Sequence, residues 1–291
     1  MATRQDRQDA EQVVAGGMPG TQDAGVSDVT GRVGGLSVDL SGHIALVTGG
    51  GSGIGRAIAL VLDACGARVA IAGRRQEPLD ETARSFAQSG AAIQADLTAP
   101  DTPEHVIASV SDQIGAPTLL INNAGAAESA PFARSDDGLL RRMLAVNLEA
   151  AFALTRAALP HLRAAPAGRI VNIASTAGLK GYPYVTAYVA AKHGLIGFTR
   201  ALAIELAETS VTVNAVCPGF TDTPLLDRSV KTITAKTGTS AEDARDGLAA
   251  HNPQGRLVVP DEVAAAVLYL CAPAAQAMTG QAMAVAGGEV M

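Results

Sequence analysis

Three side chains in the second half of this chain have the types and spacing that proton transfer needs. They are Tyr188 and Lys192, four residues apart, and Ser175, thirteen residues before the tyrosine. On a helix, positions i and i+4 lie one above the other, so the phenol and the ammonium project side by side. A phenol titrates near pH 10 in water. A neighbouring cation favours phenolate and is expected to bring that value down. A serine hydroxyl beside the pair holds a substrate oxygen while the proton moves, the arrangement that general acid/base catalysis requires.

Well upstream stands Thr48-Gly49-Gly50-Gly51-Ser52-Gly53-Ile54-Gly55, between the apolar run Ile44-Ala45-Leu46-Val47 and Arg56-Ala57-Ile58-Ala59-Leu60-Val61-Leu62. Strand, glycine loop and helix in that order form the context of a dinucleotide fingerprint. Glycine permits a tight turn and lets a pyrophosphate reach the amides at the helix N-terminus, where the dipole favours an anion. In such folds an acidic residue ending the second strand binds the ribose 2′-hydroxyl of NAD. Here Val69-Ala70-Ile71-Ala72 ends in Gly73-Arg74-Arg75. Guanidiniums suit bidentate contact with a 2′-phosphate, so NADP is favoured and NAD stays possible. The alternative is that Arg74 and Arg75 are a solvated loop pair.

The elements that must position these groups alternate along the chain. Ile44–Thr48, Arg68–Ala72, Ala91–Ala95, Thr118–Asn122, Gly168–Ala174, Val211–Val216 and Ala282–Val285 read as short apolar strands, with long helices expected at about 136–164 and 186–208. This predicts an α/β fold: a doubly wound parallel sheet of about seven strands, Rossmann-type, with helices on both faces and right-handed crossovers. Ligands on such sheets bind beyond the carboxyl ends of the strands, where every motif named here falls. Of the 291 residues, 48% are hydrophobic and only 3% aromatic, which gives an aliphatic core for a single domain at 41–291. Residues 1–40 lack apolar periodicity and are expected to form a disordered tail, although Met1 to Val14 has some helical character.

A net charge of −6 argues against nucleic acid as the main partner. No apolar run reaches the length of a membrane span, and no metal-ligand cluster is expected. Cys65, Cys217 and Cys271 form no Cys-x-x-Cys and read as reduced thiols of a cytoplasmic protein.

Together these motifs resemble the short-chain dehydrogenase/reductase family, over about residues 41 to 291. The glycine loop matches the family's TGxxxGxG, Asn122-Asn123-Ala124-Gly125 its NNAG, and Pro218-Gly219 with Thr223 its PGxxxT. Asn147, Ser175, Tyr188 and Lys192 stand in the order and at the spacing of its catalytic tetrad. The resemblance implies hydride transfer between the nicotinamide and a ketone or secondary alcohol. Tyr188 would be acid or base, Ser175 would bond the reacting oxygen, and Lys192 would hold the nicotinamide ribose and lower the Tyr188 pKa. Asn147 would support a relay water, or else bond a backbone carbonyl. Cofactor contacts are expected from Thr48, Gly49, Ser52, Gly53, Ile54, Gly55, Arg74, Arg75, Asn123, Ala124, Gly125, Tyr188, Lys192, Pro218, Gly219, Thr221 and Thr223. Leu97 is a further expected cofactor contact, and Asp96 would meet the adenine unless it is a turn cap; Asn123 is open to a turn-forming role, and Thr223 before Pro224 to a capping one. Tyr182 and Tyr184 have no lysine four residues on and do not compete for the acid role, and Thr176 points away on its extended segment.

The segment at about 223–255 is expected to be a substrate lid. Leu225, Leu226, Ile233 and Leu248 are candidates for an acyl pocket, and Arg228, Lys231, Lys236 and Arg245 either meet phosphates or a carboxylate or are solvated. The chain looks most like relatives acting on 3-oxoacyl or 3-hydroxyacyl thioesters and 3-hydroxybutyrate. A broad alcohol/ketone dehydrogenase is the alternative, and a non-catalytic nucleotide-binding regulator a further one, disfavoured by the intact tetrad. Apolar residues on more than one face of the two long helices (Leu148, Ala151, Phe152 and Leu159; Leu195, Phe198, Leu202 and Leu206), and the family's habits, imply a homotetramer or homodimer.

Overall fold

Alternate residues of each strand feed opposite faces of one sheet, and this organises the molecule. In β3 (Ile44–Thr48), Ala45 and Val47 join one hydrophobic cluster while Ile44 and Leu46 join another. The structure, a computed structural model, describes residues 32–33 and 36–291. After a short antiparallel hairpin, β1 (Arg32–Val33) and β2 (Leu36–Ser37), the strands of the sheet are β3, β4 (Arg68–Gly73), β5 (Ala91–Gln94), β6 (Leu119–Asn122), β7 (Arg169–Ile173), β8 (Thr212–Pro218) and β9 (Ala282–Val285). They run parallel in the order β5-β4-β3-β6-β7-β8-β9. The chain reverses its winding between β3 and β6, which opens a crevice at their carboxyl ends. All seven expected strands are present, two with the expected bounds and five with bounds shifted by one or two residues.

On one face lie α1 (Gly53–Ala64) and, after the last crossover, α9 (Pro260–Cys271), which bury Ile58, Leu62, Val263 and Val267 against Val47, Ile71 and Ile121. On the other lie α3 (Thr102–Gln113), α5 (Ala150–Ala164) and α6 (Thr186–Glu205), with Val106, Leu154, Leu162 and Leu202 against Leu46, Ala70 and Ile170. The shorter α2 (Gln76–Ala83) and α4 (Asp137–Leu144) flank the crevice. Between β8 and α9 stand α7 (Pro224–Thr237) and α8 (Ala241–Ala249), joined by a small cluster of Leu226, Val230 and Ala244. Thr223 caps α7, accepting from the Leu226 amide at 3.4 Å, and Gly238 ends it at φ +73.

Three expectations change. The long helix at about 136–164 is interrupted, because α4 passes into α5 through a π turn at Ala145–Glu149. Most of the tail, residues 1–31 and 34–35, including the possible helix at Met1 to Val14, lies outside the described residues. Within them Leu40 is fully buried and bonds the Cys65 carbonyl at 2.8 Å, so the packed chain begins before residue 41. Finally, Leu195, Leu202 and Leu206 are buried within the chain; the outward apolar residues on α5 and α6 are Phe152, 51% exposed with its ring tilted against that of Phe198, and Ile204, 80% exposed. No described helix is long and apolar enough to cross a membrane.

Candidate active site

The carboxyl ends of the strands open into a cleft of about 1760 Å³. Its first wall is the loop from β3 to α1. Gly49 and Gly53 adopt left-handed φ of +68 and +53, which a side chain would resist. A Cβ on Gly55 would overlap the Gly49 carbonyl and the Asn123 side-chain amide, and one on Gly49 would come within 3.2 Å of the Ala124 Cα, so the loop packs closely against the Asn123-Ala124-Gly125 segment. Ser52 stands at the N-cap position of α1 yet makes no capping bond, leaving the first amides of that helix without a side-chain acceptor. An uncapped helix N-terminus behind glycines is a ready anion site.

Thr48 is placed differently from its expected role as a cofactor contact. It is buried, and its hydroxyl accepts from the amides of Asn123 and Ala124, both at 2.9 Å, while Asn123 Nδ2 returns a bond to the Thr48 carbonyl at 2.8 Å. Thr48 therefore clamps two loops together and does not line the cleft, whereas every other residue expected to act in catalysis or touch the cofactor does.

At the end of β4, Arg74 and Arg75 are exposed, and neither guanidinium makes a hydrogen bond or ion pair to a described residue. Across from them Asp96 accepts from the Thr98 amide at 3.0 Å and the Thr98 hydroxyl at 2.7 Å. Those bonds, and then the charge of Arg74, hold its carboxyl below the usual range. The turn-cap alternative is thus realised, with Asp96 and Leu97 still bordering the cleft. The glycine cradle, the bare helix end and two unpaired guanidiniums fit a dinucleotide carrying a 2′-phosphate.

The second wall carries the proton-transfer groups. Ser175 ends β7 and opens a single 3₁₀ turn, Thr176–Gly178, accepting from the Ala177 amide at 3.1 Å. Tyr188 sits in the first turns of α6, hydrogen-bonded to the Ser175 hydroxyl. Lys192 is only 4% exposed; its ammonium donates to the Ile173 carbonyl at 2.8 Å and stands 5.7 Å from the Tyr188 ring centroid. The expected lowering of the Tyr188 pKa is not found in the bare protein. Burial raises it, the Ser175 bond only partly opposes that, and the Lys192 ammonium is itself pushed down to about 8 by burial.

Asn147 lies in the π turn. Its Nδ2 donates to the Met143 carbonyl at 3.0 Å and to the Ala126 carbonyl at 2.9 Å, and its Oδ1 accepts from the Ala126 amide at 3.3 Å. The carbonyl-bonding alternative is therefore present, and Oδ1 keeps room for one more donor. A Cβ on Gly125 would lie 2.8 Å from Asn147 Oδ1 and 3.7 Å from Lys192 Nζ, so the missing side chain is what lets the two approach. Thr223 and Thr221 hold their own loop: Thr223 Oγ1 donates to the Thr221 carbonyl at 3.2 Å, and Thr221 Oγ1 to the Gly219 carbonyl at 3.0 Å.

The far end of the cleft was only partly foreseen. Leu225, Leu226, Ile233 and Leu248 line it as expected, as do Arg228 and Lys236. Lys231 does not, and Arg245 instead bridges Asp222 and Asp227, at 2.8 Å from the latter. The sequence reading missed an aromatic cluster there: Tyr182 meets Phe220 and His251 edge-on at 6.0 and 6.2 Å between ring centroids. It also missed Glu289, which accepts from the Tyr182 hydroxyl at 2.5 Å. Burial, and then this carboxylate, push the Tyr182 phenol well above its ordinary pKa. Glu289 is 107 positions from Tyr182 with no motif around it, so no local signal could have found it.

Comparison with known proteins agrees with this geometry. The model of the short chain dehydrogenase family matches residues 43–234. The D-beta-hydroxybutyrate dehydrogenase of Cupriavidus necator is 38% identical over 262 residues, covering 86% of this chain and 99% of that protein. The 3-oxoacyl-acyl-carrier-protein reductase FabG of Vibrio harveyi is 34% identical over 254 residues, covering 87% and 100%. A crystal structure of an actinorhodin polyketide ketoreductase variant with NADPH matches at a TM-score of 0.81 and 39% identity, over 85% of this chain and 97% of that one. With the glycine cradle, the Tyr188–Lys192 pair and the sheet order all in place, this chain belongs to the short chain dehydrogenase family.

Proposed function

We propose that this protein is an NADPH-dependent reductase of a 3-oxoacyl thioester or a closely related β-keto compound. The observation that carries the reading is the Ser175–Tyr188 hydroxyl pair over a buried Lys192, set in the cleft into which the glycine loop and the two unpaired arginines open. The nicotinamide, when bound, supplies the hydride for the carbonyl carbon. Ser175 holds the carbonyl oxygen, and Tyr188 delivers the proton that this oxygen takes up. Lys192 is held by Ile173 at a place where its ammonium can hold a ribose hydroxyl and compensate charge on the phenol. Asn147 fixes the Ala126 backbone and offers Oδ1 to a relay water. Arg74 and Arg75 hold the 2′-phosphate.

The helices α7 and α8 form the lid, and their apolar residues receive the acyl chain. The similarity to FabG and to a polyketide ketoreductase supports a thioester substrate. The exposed Phe152 and Ile204 support a two-fold homodimer or homotetramer through α5 and α6, which light scattering would check. Three buried cysteines without a disulfide support a cytoplasmic setting. The deciding experiment follows NADPH oxidation with acetoacetyl-CoA, free acetoacetate and simple ketones, then repeats it with NADH. The thioester with NADPH should be turned over most efficiently; a preference for simple ketones, or for NADH, would overturn the reading.

A further inference from the structure

Glu289 follows β9 and reaches under the substrate end of the cleft, with its side chain 1% exposed. One carboxylate oxygen, Oε1, takes the Tyr182 hydroxyl at 2.5 Å and the Lys180 ammonium at 3.3 Å. The other, Oε2, is buried and has no hydrogen-bond partner among the described residues; it lies beside Gly219, where a Cβ would come within 2.9 Å of it. Tyr182 has one hydroxyl proton; it goes to the charged acceptor, so the buried Thr176 hydroxyl, 2.7 Å away, donates to the Tyr182 oxygen. A continuous chain thus runs from Lys180 and Glu289 through Tyr182 to Thr176, the neighbour of Ser175. On the other side of Tyr182, Tyr184 is held at φ +68, a left-handed conformation rare for an aromatic residue, with its carbonyl bonded to the Ala130 amide at 2.8 Å. That strained loop leads directly into the helix of Tyr188.

A buried carboxylate with one bare oxygen is expensive. An apolar side chain would fill the same space without that penalty, so stability alone does not account for an acid here. We infer that Glu289 is a positioning residue for the substrate side of the site, acting through Tyr182 on the turn that carries Ser175 and on the loop that leads into Tyr188. This rests on the catalytic reading of Ser175 and Tyr188 proposed above.

The test compares Glu289→Ala, Glu289→Gln, Tyr182→Phe and the double variant Glu289→Ala/Tyr182→Phe, with Tyr188→Phe alongside. Glu289→Ala and Tyr182→Phe should each lower kcat/KM for acetoacetyl-CoA about tenfold, as the loss of a hydrogen bond to a charged group does. The double variant should lose no more than either single one, because both break the same chain. NADPH binding to the free enzyme should be unchanged, and Glu289→Gln, which still accepts from Tyr182, should recover much of the loss. If Glu289→Ala fails to fold, Glu289→Gln and Tyr182→Phe still decide. Wild-type kcat/KM in Glu289→Ala or Tyr182→Phe, losses that multiply in the double variant, or NADPH binding that weakens in step would each overturn the inference. Should Tyr188→Phe retain full turnover, the catalytic reading itself falls; an inactive Tyr188→Phe beside a fully active Glu289→Ala defeats only the role given to Glu289.

Discussion

The cofactor half of the cleft and the substrate half are built from different materials. The cofactor half is mainly backbone: a glycine loop, a bare helix end and the clamp in which Thr48 binds the amides of Asn123 and Ala124 at 2.9 Å. Its glycines are fixed by contact, since Gly49, Gly51 and Gly55 each leave no room for a methyl group without something moving. The opposite half is mainly side chains, drawn from distant segments: Tyr182, Phe220 and His251, backed by Glu289, together with α7 and α8. Its glycines Gly238, Gly247 and Gly255 meet nothing within 4 Å. The glycine half leaves almost no room for added side chains, so it tolerates little change. The other half is shaped by side chains that substitution can alter without touching the sheet.

Five measurements would break or sharpen that contrast. The largest effect is expected on the border between the halves. Tyr188→Phe should lower turnover by about 10²–10⁴-fold while leaving NADPH binding and the unfolding midpoint in place, because only a proton donor is removed. Near-normal turnover in single-turnover assays would show that the second wall does not carry the chemistry.

Next comes Lys192, whose burial pushes its ammonium down to about 8. An unfolded lysine titrates near 10.4. Below about pH 8 both states are charged and the folded state bears the full burial penalty; between the two values the unfolded chain binds more protons, so stability must rise with pH. The gain attributable to this group is about 3 kcal/mol. Urea titrations of the cofactor-free protein at neutral pH and near pH 10 should show that rise, and Lys192→Met should remove its share. An identical pH slope in both proteins would rule out a neutralising buried lysine.

Gly55→Ala tests the rigidity of the cofactor half. Its new methyl group overlaps the Gly49 carbonyl, so we expect a loss of about 1–3 kcal/mol of stability together with weakened NADPH binding. Unchanged binding in calorimetry would contradict the close approach of the two loops. Arg74→Ala should weaken NADPH by about tenfold and leave NADH almost untouched, since only NADPH carries the 2′-phosphate. If replacing both Arg74 and Arg75 leaves the NADPH/NADH ratio as it was, the phosphate is held elsewhere.

The smallest change runs the other way. Gly247→Ala, within α8 and facing open space, should stabilise the protein by about 0.5–1 kcal/mol, because alanine has less backbone freedom to lose in a helix. Destabilisation there would mean that α8 is as tightly constrained as the glycine loop.

What the sequence determined by itself is the part governed by local chemistry. Strand and helix periods, the glycine loop, and the order Asn147, Ser175, Tyr188, Lys192 sufficed for the sheet and for the residues that meet in the cleft, because each signal lies within a few positions of the structure it dictates. Tertiary structure alone decided what depends on distant neighbours. The π turn at Ala145–Glu149 exists where Asn147 reaches back to the Met143 carbonyl and across to Ala126. Thr48 left the cleft for a buried clamp because two amides 75 and 76 positions away needed an acceptor. The Tyr188 pKa rose where a cation four residues away led us to expect a fall, because desolvation depends on everything packed around the phenol and not on one neighbour. Glu289 found Tyr182 across 107 positions, and only the folded chain puts a carboxylate and a phenol that far apart in sequence within a hydrogen bond.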